Sequence, residues 1–492
     1  MIDTPSVDWF ALSAVLVLLG AAGVALLGAV VFPRGWIRPL AASACALGFA
    51  GAFAAAALLF WKSGTPTTEV AEALSRDRLA AFGQMIVAGC GLLAVGISWS
   101  TRRRIEHVGE YYALLATAGA GMAFLVSANH LLTLFLGLEW FSICLYVLCA
   151  MDLSAVRSLE AGLKYLIVGS LGSGVLLFGS ALVYGATAEL EFGAIAEATR
   201  SGGLDDDPLL LVGLAMILAG LAFKASAAPF HQWTPDVYEG APSPVTAFMS
   251  AATKAVALVL TLRILVTAFP ELEDLWTVAL AVIACISLAW GNLAALVQRR
   301  VKRLLAYSSI SHAGFMLIAI ATANELGGRA LLFYLIPYCA ASLGAFAVVT
   351  ARERELAAPV TLDNLAGLGW ERPLLGVAMW TFMLGFAGFP LTGGFVGKFY
   401  VFSAAYDRGW TWLVIAGVAA TFVSLYYYLA VIRAMYMRPT EELTLAPAGG
   451  SPPREVLLSA AVLVAMLVNV GSFFAVEPLI DLARHAADSL PL

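Results

Sequence analysis

Four lysines, Lys164, Lys224, Lys254 and Lys398, stand inside long apolar stretches of a 492-residue chain that has only six lysines, and nearly all of its twenty-two arginines lie between such stretches. A buried lysine can lose its proton because desolvation disfavours the ammonium, whereas arginine stays charged under any protein condition. The chain therefore keeps titratable cations in its apolar segments and fixed cations outside them. An ionisable group near the centre of a bilayer costs about 3 kcal/mol on insertion scales and is by default a functional group. The chemistry these residue types offer is proton transfer.

Each lysine has its own setting. Lys224 lies five residues before Pro229 in LAFKASAAPFHQW; proline cannot donate to the carbonyl four residues back, so the helix should open beside the lysine and free backbone oxygens. Glu139, in LFLGLEWFSICLYVL, is the only carboxylate placed deep in an apolar segment by the sequence. Alone it would take up a proton, so pairing with Lys224 is the expected arrangement. Lys254, in MSAATKAVALVL, sits near mid-helix, out of reach of either interface. Lys398 follows Pro390, Gly393, Gly394 and Gly397 in GFPLTGGFVGKFY, which again joins a titratable cation to a helix break. Lys164, about one turn into its segment, has a stem long enough to carry its ammonium to the boundary. His312, in SSISHAGFM, can relay protons because an unperturbed imidazole titrates near pH 6.5. Arg263, His130, His231 and Tyr307 read as hydration or packing residues.

The elements that must hold these groups follow from composition. The chain is 61% hydrophobic and 12% charged, with mean hydropathy +0.88, against about 25% charged residues in soluble domains. It reads as an all-α polytopic membrane protein. Fourteen apolar segments fall near residues 8 to 31, 37 to 61, 79 to 100, 109 to 128, 130 to 150, 160 to 186, 208 to 230, 244 to 269, 275 to 298, 303 to 322, 329 to 350, 373 to 404, 411 to 436 and 456 to 477. The opening MIDTPSVDWF has no basic region, so the first segment is expected to be retained as a membrane helix. Alternate loops gather sixteen cations, including Arg34, Arg38, Arg102, Arg103, Arg104, Arg157, Arg299, Arg300, Lys302, Arg303, Arg438 and Arg454, against seven on the other face. The positive-inside rule makes the first set cytoplasmic and both termini periplasmic.

A faint internal repeat sets Lys164-Tyr-Leu-Ile opposite Phe333-Tyr-Leu-Ile, and the seventh and twelfth segments are both interrupted. Five-helix units covering helices 4 to 8 and 9 to 13 must insert in opposite orientations, and inverted repeats with paired broken helices are a transporter signature. The six cysteines form no C-x-x-C pair and suggest neither disulfide nor metal or cluster ligation. Gly169, Gly172 and Gly174 lie within an apolar segment and read as close helix packing and not as a dinucleotide loop. No motif for NADH, flavin or haem is present, and a net charge of -5 spread over short loops offers no face for nucleic acid.

The stretches FKASAAPFHQWTPDVYEGAPSPVTAFMSAATK, LEAGLKYLIVGSLGSG, VKRLLAYSSISHAGFML and GFPLTGGFVGKFYVF closely resemble the antiporter-like membrane subunit family of bacterial NADH-quinone oxidoreductase (respiratory complex I), subunit N above all, over roughly residues 105 to 440. The resemblance implies fourteen helices with two inverted five-helix repeats, Glu139 and Lys224 as the pair of one half-channel, Lys254 as central relay and Lys398 as the lysine of broken helix 12. It implies residues 1-104 as three leading helices, 105-270 and 271-440 as the repeats, and 441-492 as helix 14 and a tail, without the long lateral helix of the largest sister subunit. It further implies a bacterial inner-membrane translocase subunit with no redox site of its own. NADH, FMN, iron-sulfur clusters and quinone are then expected in partner subunits, and the other membrane subunits, sister antiporter-like ones included, as partners in the lipid bilayer. A subunit of a multisubunit cation/proton antiporter is the alternative from the transporter class, and a structural subunit whose charges only fix packing is a third reading. Sodium transport would be expected to use hard oxygen ligands, and a single deep carboxylate favours protons.

Overall fold

The computed structural model describes residues 7–64, 66–99, 107–437 and 455–492. Arg102, Arg103, Arg104, Arg438 and Arg454 of the charge argument lie outside these residues. Three leading helices, α1 (Ser13–Val31), α2 (Arg34–Lys62) and α3 (Arg78–Ser98), are followed by α4 (Val108–Leu125), α5 (Leu131–Cys149) and α6 (Val156–Thr187). A short α7 (Phe192–Gly202) leads to α8 (Pro208–Lys224) and α9 (Trp233–Gly240). Then α10 (Ser243–Phe248) runs through a π-helical turn, Met249–Thr253, into α11 (Lys254–Ala268). The chain continues through α12 (Glu273–Leu296), α13 (Val301–Ala321), α14 (Glu325–Leu356), α15 (Leu368–Glu371), α16 (Pro373–Ala387), α17 (Gly393–Asp407), α18 (Thr411–Met437), α19 (Val456–Phe474) and α20 (Val476–Ala487).

Among the described residues, eleven helices are long and apolar enough to cross a membrane, with α10, the π-helical turn and α11 counting as one continuous span, Ser243–Ala268. The other three expected segments are the 18-residue α4 and the two interrupted ones, which split into α8 with α9 and α16 with α17. The repeat is visible in packing. As α4 lies on α5, so α12 lies on α13; as α6 contacts both α8 and α9, so α14 contacts both α16 and α17. The aligned tyrosines, Tyr165 and Tyr334, are both fully buried beside their broken helices.

The loop between α2 and α3, which the sequence leaves featureless, is a small antiparallel hairpin of β1 (Thr67–Glu69) and β2 (Leu74–Arg76). It ends at Asp77, which caps α3 by accepting from the Ala80 amide at 2.7 Å and binds Arg263 of α11 through two bonds of 2.6 and 2.8 Å. Both side chains are almost wholly buried. The expectation that Glu139 is the only deep carboxylate is corrected here, because folding draws a loop acid into the core to meet an arginine 186 residues away.

The helices through the centre of the fold, α10, α11, α13 and α14, are buried on nearly every face. Those on the outside, such as α6, α12 and α18, expose leucine, valine and phenylalanine. That distribution suits a bundle whose rim meets lipid or partner helices. Gly172 is where Phe223, the neighbour of Lys224, presses on α6, as expected of a packing glycine, but a methyl group added at Gly174 would meet only open space.

Candidate proton relay

The first helix break comes earlier than Pro229 suggests. α8 stops at Lys224, Ser226 takes a left-handed conformation with φ of 60°, and the Ala228–Pro229 bond is cis. The opened backbone is largely satisfied by protein. The Ala228 amide donates to Ser287 Oγ at 2.8 Å, and Trp233 Nε1 donates to the Phe223 carbonyl at 3.2 Å. Lys224 is 4% exposed and turns away from this backbone, giving a 2.7 Å bond to Ser142 Oγ. The rings of Phe141, Tyr146, Tyr165 and Phe223 surround its ammonium at 5.4 to 5.9 Å, which supplies cation–π attraction in place of water.

Glu139 lies three residues before Ser142 on α5. Its Oε1 is buried without a hydrogen-bond partner, and no ion pair joins it to Lys224 among the described residues. The two are near enough for their charges to interact, with no hydrogen bond between them among the described residues.

Lys254 is 1% exposed and begins α11 at the end of the π-helical turn. Such turns recur at functional sites because they re-aim a side chain within a helix. Its ammonium donates to both the carbonyl and the hydroxyl of Ser309 on α13. Ser309 Oγ is 2.9 Å from Tyr338 Oη, which donates on to the Ser250 carbonyl at 3.2 Å. One turn further along α13, His312 holds Tyr334 Oη at Nδ1, 2.8 Å, and Tyr428 Oη at Nε2, 3.1 Å. A neutral imidazole has one donor and one acceptor nitrogen, so a ring held by a hydroxyl on each side can receive a proton on one face and release it on the other. Tyr428 continues to Ser308. Nearby, Tyr427 Oη donates to Asn292 Oδ1 at 2.8 Å, and Asn292 Nδ2 donates to Ser311 Oγ at 3.0 Å.

The second break also starts before its proline. α16 ends at Ala387, Gly388 adopts φ of 75°, and Leu391 beyond Pro390 is left-handed as well, φ 72°. Lys398, on α17, reaches back across the break and donates to the Phe386 and Ala387 carbonyls at 2.9 and 3.2 Å, with the Phe315 ring 4.5 Å away. These are free carbonyls at the negative end of a helix, a natural seat for an ammonium. Phe386 packs on His312 at 5.1 Å between ring centres, so this seat adjoins the histidine network.

Lys164 belongs elsewhere. Its side chain is 44% exposed and pairs with Glu160 at 2.7 Å and Asp236 at 3.0 Å. With Arg303 also on Asp236, and with Arg300 and Arg303 on Glu239, it forms a charged cluster around α9. Burial works against the Asp236 carboxylate, yet Arg303 and Lys164 hold it below the ordinary carboxylate range. Lys302, counted from sequence among loop cations, is buried at the start of α13, where it donates to the Ala241 carbonyl at 2.7 Å and to Ser243 Oγ at 3.0 Å. Tyr307 takes no part in the histidine network and lies under the Arg303 guanidinium. The hydroxyls that hold Lys224, Lys254 and His312, on Ser142, Ser309, Tyr334, Tyr338 and Tyr428, do not stand out in the sequence. Two of them carry a visible signal, Ser309 in the SSISH run and Tyr334 in the Tyr-Leu-Ile of the repeat.

The chain and its fold have known counterparts. Residues 128–424 match the family model described as NADH:quinone oxidoreductase/Mrp antiporter, TM. The chain is 42% identical over 428 residues to an NADH-quinone oxidoreductase subunit N of Trichlorobacter lovleyi, covering 87% of each, and 38% identical to a subunit N of Roseiflexus castenholzii, covering 98% of this chain and 97% of the other. A chain in respiratory complex I from Thermus thermophilus superposes with TM-score 0.80 at 35% identity, over 96% of this chain and 99% of that one. A chain of the Mrp complex from Dietzia shares the fold, TM-score 0.83, at 22% identity over 98% and 97%. With the family model spanning more than half its length and subunit N relatives aligned along most of it, the chain belongs to the NADH:quinone oxidoreductase/Mrp antiporter transmembrane family, on its subunit N side.

Proposed function

We propose that this chain is a proton-translocating membrane subunit of an NADH-quinone oxidoreductase, coupling electron transfer performed in other subunits to proton movement through its buried lysines. NADH, FMN, iron-sulfur clusters and quinone belong in this reading to the partner subunits, and the chain contributes the proton path. One observation carries the assignment. Lys224, Lys254 and Lys398 are each buried, each held by hydroxyl or carbonyl oxygens, and none forms an ion pair among the described residues. An ammonium locked to a carboxylate resists losing its proton, whereas one seated on neutral acceptors can lose it at modest cost.

Within this reading the repeats are 105-270 and 271-440, preceded by the three helices of 1-104 and followed by 441-492. Glu139 and Lys224 form the loading end of the first repeat, Lys254 and His312 the centre, and Lys398 the far end. Lys164 sits at the cytoplasmic mouth. The loops rich in arginine face the cytoplasm of a bacterial inner membrane, and both termini face the periplasm. Driving each proton outward takes about 2.3 kcal/mol per 100 mV, energy that must arrive from the partners. The Mrp likeness is one of fold, and the subunit N relatives at higher identity favour the redox-coupled reading over the antiporter.

The test is Lys254→Arg in the assembled complex, measured as protons translocated per NADH oxidised. Guanidinium keeps the charge but cannot release a proton, so pumping should fall as far as in Lys254→Ala, on the order of 10²-fold for a lost proton-transfer group. Full pumping by the arginine variant would show that only fixed charge is needed there.

A further inference from the structure

Tyr238 lies on α9, the half-helix beyond the first break, and its side chain is fully buried. Its ring is fixed edge-on by Trp233 on one side and Phe346 on the other, each 6.1 Å away between ring centres. Trp233 in turn stacks on Tyr165 at 4.6 Å, and Tyr165 is one of the rings around the Lys224 ammonium. The backbone is held as well, since Thr246 Oγ1 donates to the Tyr238 carbonyl at 3.1 Å. Everything about this tyrosine is positioned except its hydroxyl, which is buried and has no hydrogen-bond partner.

A buried hydroxyl without a partner costs about 1–3 kcal/mol, and native proteins rarely leave one without a reason. Its neighbours suggest the reason. Phe346, which packs on the Tyr238 ring, lines one small void together with Ser309, and the side chains of Ser226 and Ser309 are the polar groups beside the hydroxyl, neither aligned as a hydrogen-bond partner. Ser226 is two residues past Lys224 in the opened backbone, and Ser309 is the residue that receives the Lys254 ammonium. One oxygen therefore stands between the surroundings of the two lysines, which have no direct bond to each other among the described residues.

We propose that the Tyr238 hydroxyl is the bridge by which a proton passes between Lys224 and Lys254, a role that rests on the lysine relay above. The step balances without any charged tyrosine. As the oxygen accepts a proton arriving from the side of one lysine's ammonium, its own O–H bond breaks and that proton leaves toward the other lysine's neutral amine. The phenol is regenerated carrying the new proton, and one lysine is neutral where the other has become charged. Rotation of the hydroxyl about its C–O bond resets it. The rigid ring and mobile O–H suit this use, because only the proton-bearing atom needs to move.

Tyr238→Phe removes that oxygen and nothing the fold depends on, since the ring contacts stay and no hydrogen bond is lost. Protons translocated per NADH oxidised, and the solvent deuterium isotope effect on pumping, are measured in membranes holding the whole complex, beside Lys254→Ala and Tyr111→Phe. Tyr111 has a buried unpartnered hydroxyl too, but on α4, away from the lysines. The expected result is at least a tenfold fall for Tyr238→Phe, roughly the lower range for losing a proton-transfer group, with an altered isotope effect, normal complex yield and no change for Tyr111→Phe. Full pumping by Tyr238→Phe beside a failed Lys254→Ala would overturn the bridge and leave the lysine relay standing. Full pumping by Lys254→Ala would overturn the relay and the bridge with it.

Discussion

The two helix breaks look alike in sequence and work differently in space. At the first, the lysine is the last residue of the leading half-helix and leaves the break, crossing to a hydroxyl on α5. At the second, the lysine sits in the trailing half-helix and reaches back to the carbonyls that the break exposes. The first ammonium is held by a side chain that evolution can exchange, the second by backbone that no substitution removes. A break is thus not one device used twice. It frees acceptors in one repeat, and in the other it mainly ends a helix so that α9 can turn inward with Trp233 and Tyr238.

This difference can be broken by substitution. The largest effect should come from Lys224→Ala, with pumping per NADH oxidised falling on the order of 10²-fold while the complex assembles, because alanine suits the end of a helix. Ser142→Ala should reproduce part of that loss. It leaves the Lys224 ammonium with rings but no hydrogen-bond acceptor, a cost of about 1–3 kcal/mol, or roughly tenfold in rate at 1.4 kcal/mol per decade. Normal pumping in Ser142→Ala would mean that the aromatic cage alone holds the first lysine, and the contrast with the second would vanish.

At the second break the informative pair is Gly388→Ala against Pro390→Ala. An alanine at 388 would have to adopt φ of 75° and would set its Cβ 2.8 Å from Cδ of Lys398. The backbone strain alone costs about 1–2 kcal/mol, and the lysine must shift off its carbonyls, so pumping should fall several-fold with a smaller loss of yield. Pro390→Ala should do little, since α16 has already ended at Ala387. Equal losses in the two variants would return the break to the proline.

That last point marks the limit of what was legible. A lysine in an apolar run announces itself because the surroundings make it costly, and the fourteen segments announce themselves by length. What a lysine bonds to is settled between helices far apart in sequence, as with Lys254 and Ser309 or Arg263 and Asp77, and serine and tyrosine are ordinary enough in membrane helices to carry no warning. The prolines drew the eye to both breaks, while left-handed Ser226 and Gly388 set where the helices end. The π-helical turn before Lys254 left no trace in periodicity, and Lys302 read as a loop cation because its position at a helix start hides that the fold closes over it.

Hiding its lysines also makes this protein nearly silent to amine chemistry. Of six, Lys224, Lys254, Lys302 and Lys398 are enclosed, and only Lys62 and Lys164 present side chains at the surface. By the orientation proposed above these two lie on opposite faces of the membrane. A membrane-impermeant acylating reagent added to one side of sealed vesicles should therefore mark a single lysine, Lys164 from the cytoplasmic side and Lys62 from the other, as read by peptide mass. The unaltered sequence is its own topology probe, and labelling of both from one side would reverse the assignment of its faces.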